Sequence, residues 1–144
     1  MKEALLEAKK AASLGEVPVG SVLVYKGEII ARAHNLVESI KDASAHAEML
    51  CMKEASKKMG NWRLIGAVLY STLEPCAMCA GAMLLSRIDT LVWGAPDIRH
   101  GAHGSWVDLL DGSHPIHKIE VRTKILEEEA AGLMKEFFQK RRLC

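Results

Sequence analysis

The sequence has no long apolar run that would place it in a membrane or in the secretory pathway. Its longest apolar stretch, near Ala77–Leu85, is far shorter than the ~20 residues that span a bilayer. Charged residues among the first ten positions interrupt any signal-peptide core. We therefore expect a soluble intracellular protein, cytoplasmic or organellar, with no membrane partner.

Net charge and cysteine content are also low. The 19 Lys and Arg residues against 18 Asp and Glu leave a formal net charge of +1, so a nucleic-acid surface would have to be a local patch. Four cysteines, two of them spaced as Cys76-x-x-Cys79, are typical of a metal or redox site rather than a disulfide scaffold. No internal repeat is present, and the length favours a single domain over residues 1–144.

Hydrophobic periodicity predicts alternating helices and strands. The predicted helices are Lys2–Leu14, a helix from an N-cap at Ser44 to about Lys58, Pro75–Leu85 and Leu126–Arg142. The predicted strands are Val19–Tyr25, Glu28–His34, Ala67–Leu73, Thr90–Ala95 and Ile119–Arg122. Asn35–Ala43 is predicted as a loop and Trp106–Leu110 as a short helical turn. This order predicts an α/β fold, a three-layer α/β/α sandwich with a mixed sheet of about five strands.

Cys76 and Cys79 lie one turn apart at the start of a predicted helix that directly follows a strand. Their thiols therefore share one helix face, which suits coordination of a tetrahedral metal. The positive end of the helix dipole also favours their thiolate forms. On its own, the pair fits a thioredoxin-like redox dithiol about as well as half of a zinc site.

His46 supplies a third candidate ligand if its helix and the helix of the two cysteines begin at the same edge of the sheet. A fourth protein ligand is not evident, because Cys51 projects well around the helix from His46. Three protein ligands leave one position open, as in catalytic zinc sites. Glu48 would then approach the attacking water and act as general acid and base. Taken singly, a capping or core His46 and an exposed Glu48 are the simpler interpretations.

The combination His46-x-Glu48 with Pro75-Cys76-x-x-Cys79 is the known signature of the zinc-dependent nucleobase deaminases. Many deaminases share this signature. Nearly the whole chain resembles the tRNA-specific adenosine deaminases of bacteria and organelles, within the cytidine and deoxycytidylate deaminase superfamily. The resembling segments are Glu16–Gly20, Ala45–Glu48, Thr72–Met83, Trp93–Asp97, Gly101–Ser105 and Phe137–Arg142. Compared with that family, the chain begins about one turn late in its first helix.

The resemblance implies a cytidine-deaminase-like fold and hydrolytic deamination of adenosine to inosine at the wobble position of a tRNA anticodon loop. It implies one Zn²⁺ per chain, bound by His46, Cys76 and Cys79, with Glu48 as the catalytic proton carrier. The implied substrate-binding residues are Asn35 for the flipped base, Val17 and Ala47 for the pocket walls, and Asp97, Phe138, Arg141 and Arg142 for the anticodon loop. It also implies a homodimer with Met83–Arg87 as the candidate interface helix. DNA is not an expected partner.

Three other functions stay open at this point. A deaminase of a free base such as guanine or cytosine would carry the same signature, a redox protein would use only the two cysteines, and a structural zinc module could bind RNA without chemistry. For the substrate residues, Asn35 could end a strand, Phe138 could be core, and Arg141 and Arg142 could form a solvated helix end favoured by the helix dipole. The His-rich segments around His100–His103 and His114–His117 have no assigned role.

Overall fold

The computed structural model describes residues 1–143, in which five helices and five strands alternate. The elements are α1 (Lys2–Ser13), β1 (Gly20–Tyr25), β2 (Glu28–His34), α2 (Val37–Ile40), α3 (Ala47–Met59), β3 (Val68–Leu73), α4 (Ala77–Leu85), β4 (Thr90–Ala95), β5 (Glu120–Arg122) and α5 (Glu127–Arg142). In this described part of the chain, no helix is both long and apolar enough to cross a membrane.

The strands form one mixed sheet in the order β2-β1-β3-β4-β5. β1 pairs antiparallel with both β2 and β3, whereas β3, β4 and β5 run parallel. The β1–β2 hairpin turns at Lys26 and Gly27, whose φ angles of 50° and 78° are those that a tight hairpin turn of matching twist requires. β2 and β3 therefore run in the same direction although β1 separates them.

Helices cover both faces of the sheet. On one face, α3 and α4 contribute Met52 and Met83 to the main core, which also contains Leu69 from the sheet. On the other face, α1 and α5 pack together over the sheet, and Leu5 and Ala130 belong to a second, smaller cluster. The predicted three-layer α/β/α sandwich is confirmed.

The backbone of α1 packs directly against the backbone of β1 at Gly20. A Cβ atom on Gly20 would collide with the carbonyl oxygen of Ala4 and with the backbone nitrogen of Ala8. Only glycine lets the helix and the strand come this close. The packing of α1 against the sheet therefore depends on this one position.

The segment between β2 and α3 differs from its prediction. A four-residue helix, α2, lies within the predicted loop, and the N-cap of α3 is His46 rather than Ser44. The Ser44 side chain and backbone N–H both donate to Asp42 Oδ1, at 2.7 and 2.8 Å. Because this local turn occupies the hydroxyl, Ser44 does not cap the helix.

The predicted helical turn at Trp106–Leu110 is also wrong, since this segment forms bends and an isolated β-bridge from Asp108 to His103. The Leu110 N–H donates to the Asp108 side chain at 3.1 Å, and the Leu109 N–H donates to the Ala102 carbonyl at 2.9 Å. These bonds use the N–H groups that a helix would need for its own ladder.

Candidate active site

The ligand-bearing helices begin at the same edge of the sheet. β2 leads through α2 into α3, and β3 leads directly into α4. Because β2 and β3 run in the same direction, both helices begin at the same edge of the sheet. His46 is the N-cap residue of α3 and Cys76 the N-cap residue of α4, and neither side chain makes a capping hydrogen bond. Both side chains are therefore available to a shared centre.

The structure brings His46, Cys76 and Cys79 together. Their ligand atoms all lie within 4.8 Å of one another. His46 Nδ1 lies 3.5 Å from Cys76 Sγ and 3.6 Å from Cys79 Sγ. Tetrahedral zinc with Zn–S of about 2.3 Å and Zn–N of about 2.05 Å requires a separation of about 3.5 Å, so the donor set fits this metal. Cys51 is buried elsewhere in the core, as its position in the helix predicts.

The two thiols differ in their protonation. Hydrogen bonds from Cys79 and from His46 lower the pKa of the Cys76 thiol to about 4, against the effect of burial. The hydrogen bond to Cys76 and burial raise the pKa of Cys79, and the bond to Cys76 raises the pKa of His46. The lowered pKa of Cys76 favours its thiolate form, and a bound cation would favour loss of the Cys79 proton as well.

Glu48 is buried beside the ligand group. It lies in the first turn of α3 with 3% of its surface exposed, so the interpretation of an exposed helix glutamate is wrong. Ser71 Oγ donates to Glu48 Oε1 at 3.0 Å, and Cys79 Sγ lies 3.7 Å from Oε2. Burial raises the pKa of Glu48. One carboxylate oxygen is therefore held by β3 while the other faces the ligand cluster.

Asn35 directly follows β2 and is 7% exposed. Its Nδ2 lies 3.5 Å from Glu16 Oε2 and 3.4 Å from the Val17 carbonyl, and its Oδ1 accepts from the Val37 N–H at 3.4 Å. The side chain is thus part of a polar network rather than a simple strand end. Val17 is half-buried and Ala47 is fully buried, and their roles as pocket walls stay predictions.

Sequence reasoning missed the part played by Glu16 in this network. Its carboxylate is fully buried and accepts from the backbone and hydroxyl of Ser39 at 2.6 and 2.7 Å, and from the Glu38 N–H at 3.3 Å. Burial opposes ionisation, but these hydrogen bonds hold the pKa of Glu16 below its usual value. The available signal was an acidic residue next to the apolar stretch Val17–Val19.

Asp97 lies in the loop that leaves the carboxyl end of β4. Since β4 is parallel to β3, this loop lies at the same sheet edge as the start of α4. Asp97 Oδ1 accepts from the N–H groups of Arg99 and His100 at 3.2 and 3.3 Å. An isolated β-bridge between Cys76 and Gly101 joins the loop to the ligand turn.

The predicted RNA-binding residues of α5 lie on a helix that covers the opposite face from α3 and α4. Phe138 is 39% exposed and Phe137 9% exposed, so the core interpretation fits Phe137 and is wrong for Phe138. Arg141 Nη2 donates to the Gly15 carbonyl at 2.9 Å, and its guanidinium lies 4.8 Å from the centre of the Phe137 ring. Arg142 is exposed. The end of α5 is therefore fixed beside the segment that contains Glu16 and Val17.

The histidines of the His-rich segments form hydrogen bonds within the chain. Trp93 Nε1 donates to His103 Nδ1 at 3.1 Å, His114 Nδ1 accepts backbone N–H groups, and His117 Nε2 lies 2.7 Å from the Ile88 carbonyl. Within residues 1–143, no second group of three metal-ligating side chains occurs.

Comparisons with known proteins agree with this geometry. The sequence matches the MafB19-like deaminase family over residues 1–142. The tRNA-specific adenosine deaminase of Bacillus subtilis (strain 168) is 54% identical over 99% of this chain and 88% of its own length. The chloroplastic tRNA(adenine(34)) deaminase of Arabidopsis thaliana is 52% identical over 98% of this chain, which spans only 12% of that protein.

A solved structure gives the same result. It comes from studies of A-to-I editing by tRNA:A34 deaminases at the wobble position of transfer RNA. It superposes with a TM-score of 0.88 at 42% identity, covering 92% of this chain and 96% of that one. The predicted deaminase resemblance is confirmed, and the chain belongs to the MafB19-like deaminase family.

Proposed function

We propose that this chain catalyses zinc-dependent hydrolytic deamination of adenosine to inosine at the wobble position of a tRNA anticodon loop. The observation that carries the proposal is the cluster of His46, Cys76 and Cys79 with the buried Glu48 carboxylate against it. Relatives that match 98 to 99% of the chain at 52 to 54% identity bear tRNA deaminase names, which supports this substrate class. Residues 1–144 would act as one domain.

We infer that one zinc ion per chain is held by His46, Cys76 and Cys79. When bound, zinc supplies the Lewis acidity that makes water a nucleophile near neutral pH. Within the chain, the ligands come from two helix starts, so the folded sheet determines their spacing.

Glu48 would carry the protons of the reaction. Ser71 holds Oε1 and leaves Oε2 towards the centre, where it accepts a proton from the attacking water and delivers it to the departing amino group. Because core residues bury the carboxylate, the transfer occurs away from bulk solvent.

The target base must leave its stack to reach this centre. Asn35 would bind its edge, with Val17 and Ala47 as walls. Asp97, Phe138, Arg141 and Arg142 would contact the surrounding anticodon loop. The hydrogen bond from Arg141 to Gly15 supports this assignment, because it fixes the end of α5 beside Val17 and leaves other guanidinium donors for phosphate.

We also propose a homodimer through Met83–Arg87, which comprises the end of α4 and the turn that follows it. Leu85 and Trp62 are 65% and 55% exposed and line an apolar groove of about 400 Å³ together with Met49, Met52 and Ala82. A second copy of the chain suits this groove because α4 has Cys76 as its N-cap residue and contains Cys79, so that dimerisation would place partner residues near the site. Leu85→Glu should yield monomers in sedimentation, whereas Ile116→Glu, at an equally exposed loop position, should not.

Relatives from a bacterium and from a chloroplast make a cytoplasmic or an organellar location equally compatible with this function.

The deciding experiment compares a tRNA anticodon stem-loop that carries adenosine at the wobble position with free adenine, guanine and cytosine. Inosine formation and ammonia release on the stem-loop alone are the expected result, with Glu48→Gln as the inactive control. Turnover of a free base in preference to the stem-loop would favour the free-base alternative. A zinc-free preparation with full activity would contradict the metal assignment.

A further inference from the structure

Glu74 is a buried carboxylate that neither the metal cluster nor Glu48 explains. It lies between the end of β3 and Pro75, and only 1% of its surface is exposed. Its four hydrogen-bond donors all belong to the loop that follows β4, residues 97–105. They are the backbone N–H groups of Asp97, His103 and Ser105 and the hydroxyl of Ser105.

Backbone contacts bring this loop and the ligand turn together. The Glu74 N–H donates to the Ala95 carbonyl, and the Ala102 N–H donates to the Pro75 carbonyl, both at 2.8 Å. A Cβ atom on Gly101 would collide with the Glu74 carboxyl group. The loop therefore packs directly on the carboxylate, which a side chain at Gly101 would displace.

We propose that Glu74 is a positioning residue that sets the place of Asp97 for RNA binding. The inference rests on the proposed function, in which Asp97 faces the anticodon loop. Asp97 itself begins the turn, because its own side chain accepts the N–H groups of Arg99 and His100. By holding the Asp97 backbone, Glu74 couples the ligand turn to the surface that reads the substrate.

The two oxygens of Glu74 have different partners. Oε1 accepts from the Asp97 N–H at 3.1 Å and from the Ser105 hydroxyl, whereas Oε2 accepts from the His103 N–H at 2.9 Å and the Ser105 N–H at 3.4 Å. A glutamine has one oxygen and one NH₂ group. The least disruptive orientation places NH₂ at the Oε1 position, where the Ser105 hydroxyl can reverse and accept. Glu74→Gln should therefore remove the hydrogen bond from the Asp97 N–H while the bonds to the other oxygen persist.

Steady-state kinetics on the stem-loop test this assignment. Glu74→Gln should raise KM about five- to tenfold, the effect of losing roughly one hydrogen bond, while kcat and the zinc content stay near wild type. Glu7→Gln is the matched control, since Glu7 is a similarly buried glutamate (4% exposed) on α1, and it should change neither constant. Loss of zinc in Glu74→Gln, an unchanged KM, or a fall in kcat at saturating RNA would each overturn the proposal.

A double-mutant cycle with Asp97→Ala separates positioning from a general structural role. If Glu74 acts through Asp97, Glu74→Gln should raise KM no further once Asp97 is alanine. Additive effects would overturn the proposal, and so would an Asp97→Ala variant with a wild-type KM. Where Glu74→Gln yields no folded protein, Glu74→Asp takes its place with the same expected non-additivity, because its shorter carboxylate withdraws from the loop. Failure of the proposed function is distinct, since wild-type protein would then form no inosine in the stem-loop.

Discussion

The starts of α3 and α4, which carry the candidate metal ligands, and the end of α5 differ in how the fold holds their side chains. At the helix starts, Cys79 is fully buried, Glu48 is 3% exposed, and both belong to elements packed on the main core. At the end of α5, Phe138 is 39% exposed and Arg142 lies in solvent. The comparison teaches that the fold fixes the groups assigned to the chemistry, whereas the groups of α5 assigned to the anticodon loop depend on a few surface contacts. Changes at the two places should therefore differ in both size and kind.

The largest effect is expected from loss of a metal ligand. Cys76→Ser, Cys79→Ser and His46→Ala should each lose zinc and deaminase activity together, because each removes one of three converging donors. Elemental analysis and an inosine assay on the same preparations measure both. Cys51→Ser is the matched control for a buried thiol outside the cluster and should keep its zinc. Activity that survives after the metal is lost would contradict the assignment.

Glu48→Gln should have the second-largest effect on deaminase activity. The substitution keeps the side-chain volume and the ligands but removes the proton carrier, so turnover should fall about 10⁴-fold or more, at the top of the range for general acid–base groups. Single-turnover inosine formation measures the loss. The zinc content should equal that of wild type. A rate near wild type or a loss of zinc would contradict the role of Glu48 as proton carrier.

The neighbouring phenylalanines of α5 give a direct contrast between core and surface. Phe137→Ala removes a buried ring and should lower the free energy of unfolding by about 3 kcal/mol, as measured by denaturant titration. Phe138→Ala should leave stability almost unchanged and weaken stem-loop binding by ~1–3 kcal/mol if the ring stacks on an unpaired base. Unchanged stem-loop affinity in Phe138→Ala would show that Phe138 is not a binding residue.

The smallest effect on chemistry is expected from the arginines. Alanine at both Arg141 and Arg142 should weaken stem-loop binding and reduce its log–log salt slope by roughly 0.7 per lost phosphate contact. The single-turnover rate at saturating RNA should barely change, because α5 covers the opposite face of the sheet from the ligand-bearing helices. Unchanged affinity and salt slope would contradict the assignment of Arg141 and Arg142 to the RNA-binding surface.

Much of the fold and of the metal cluster could be predicted because their signals are local. Periodicity within single segments predicts the strands β2 and β4 with their observed limits. The Cys76-x-x-Cys79 spacing and the position of His46 near a helix start predict the three side chains that the structure brings together. The deaminase family was also predicted correctly.

The missed features depend on long-range contacts or on competing side chains. The acceptor roles of Glu16 and Glu74 need partners more than twenty residues away, which no local pattern contains. The residue type of Ser44 predicts an N-cap, but its hydroxyl donates to Asp42 instead. The roles of the substrate-binding residues stay predictions because they concern contacts with RNA. These residues are Asn35, Val17, Ala47, Asp97, Phe138, Arg141 and Arg142.

The separation of β2 from β3 by β1 has a consequence for how the proposed metal site forms. His46 follows the hairpin and the cysteines follow β3, so the three donors meet only after three strands have paired in the native order. An unfolded or wrongly paired chain offers no such site, and a cation that binds only the native arrangement adds its binding free energy to that arrangement alone. Zinc binding would thus stabilise the native strand order over wrongly paired alternatives during folding.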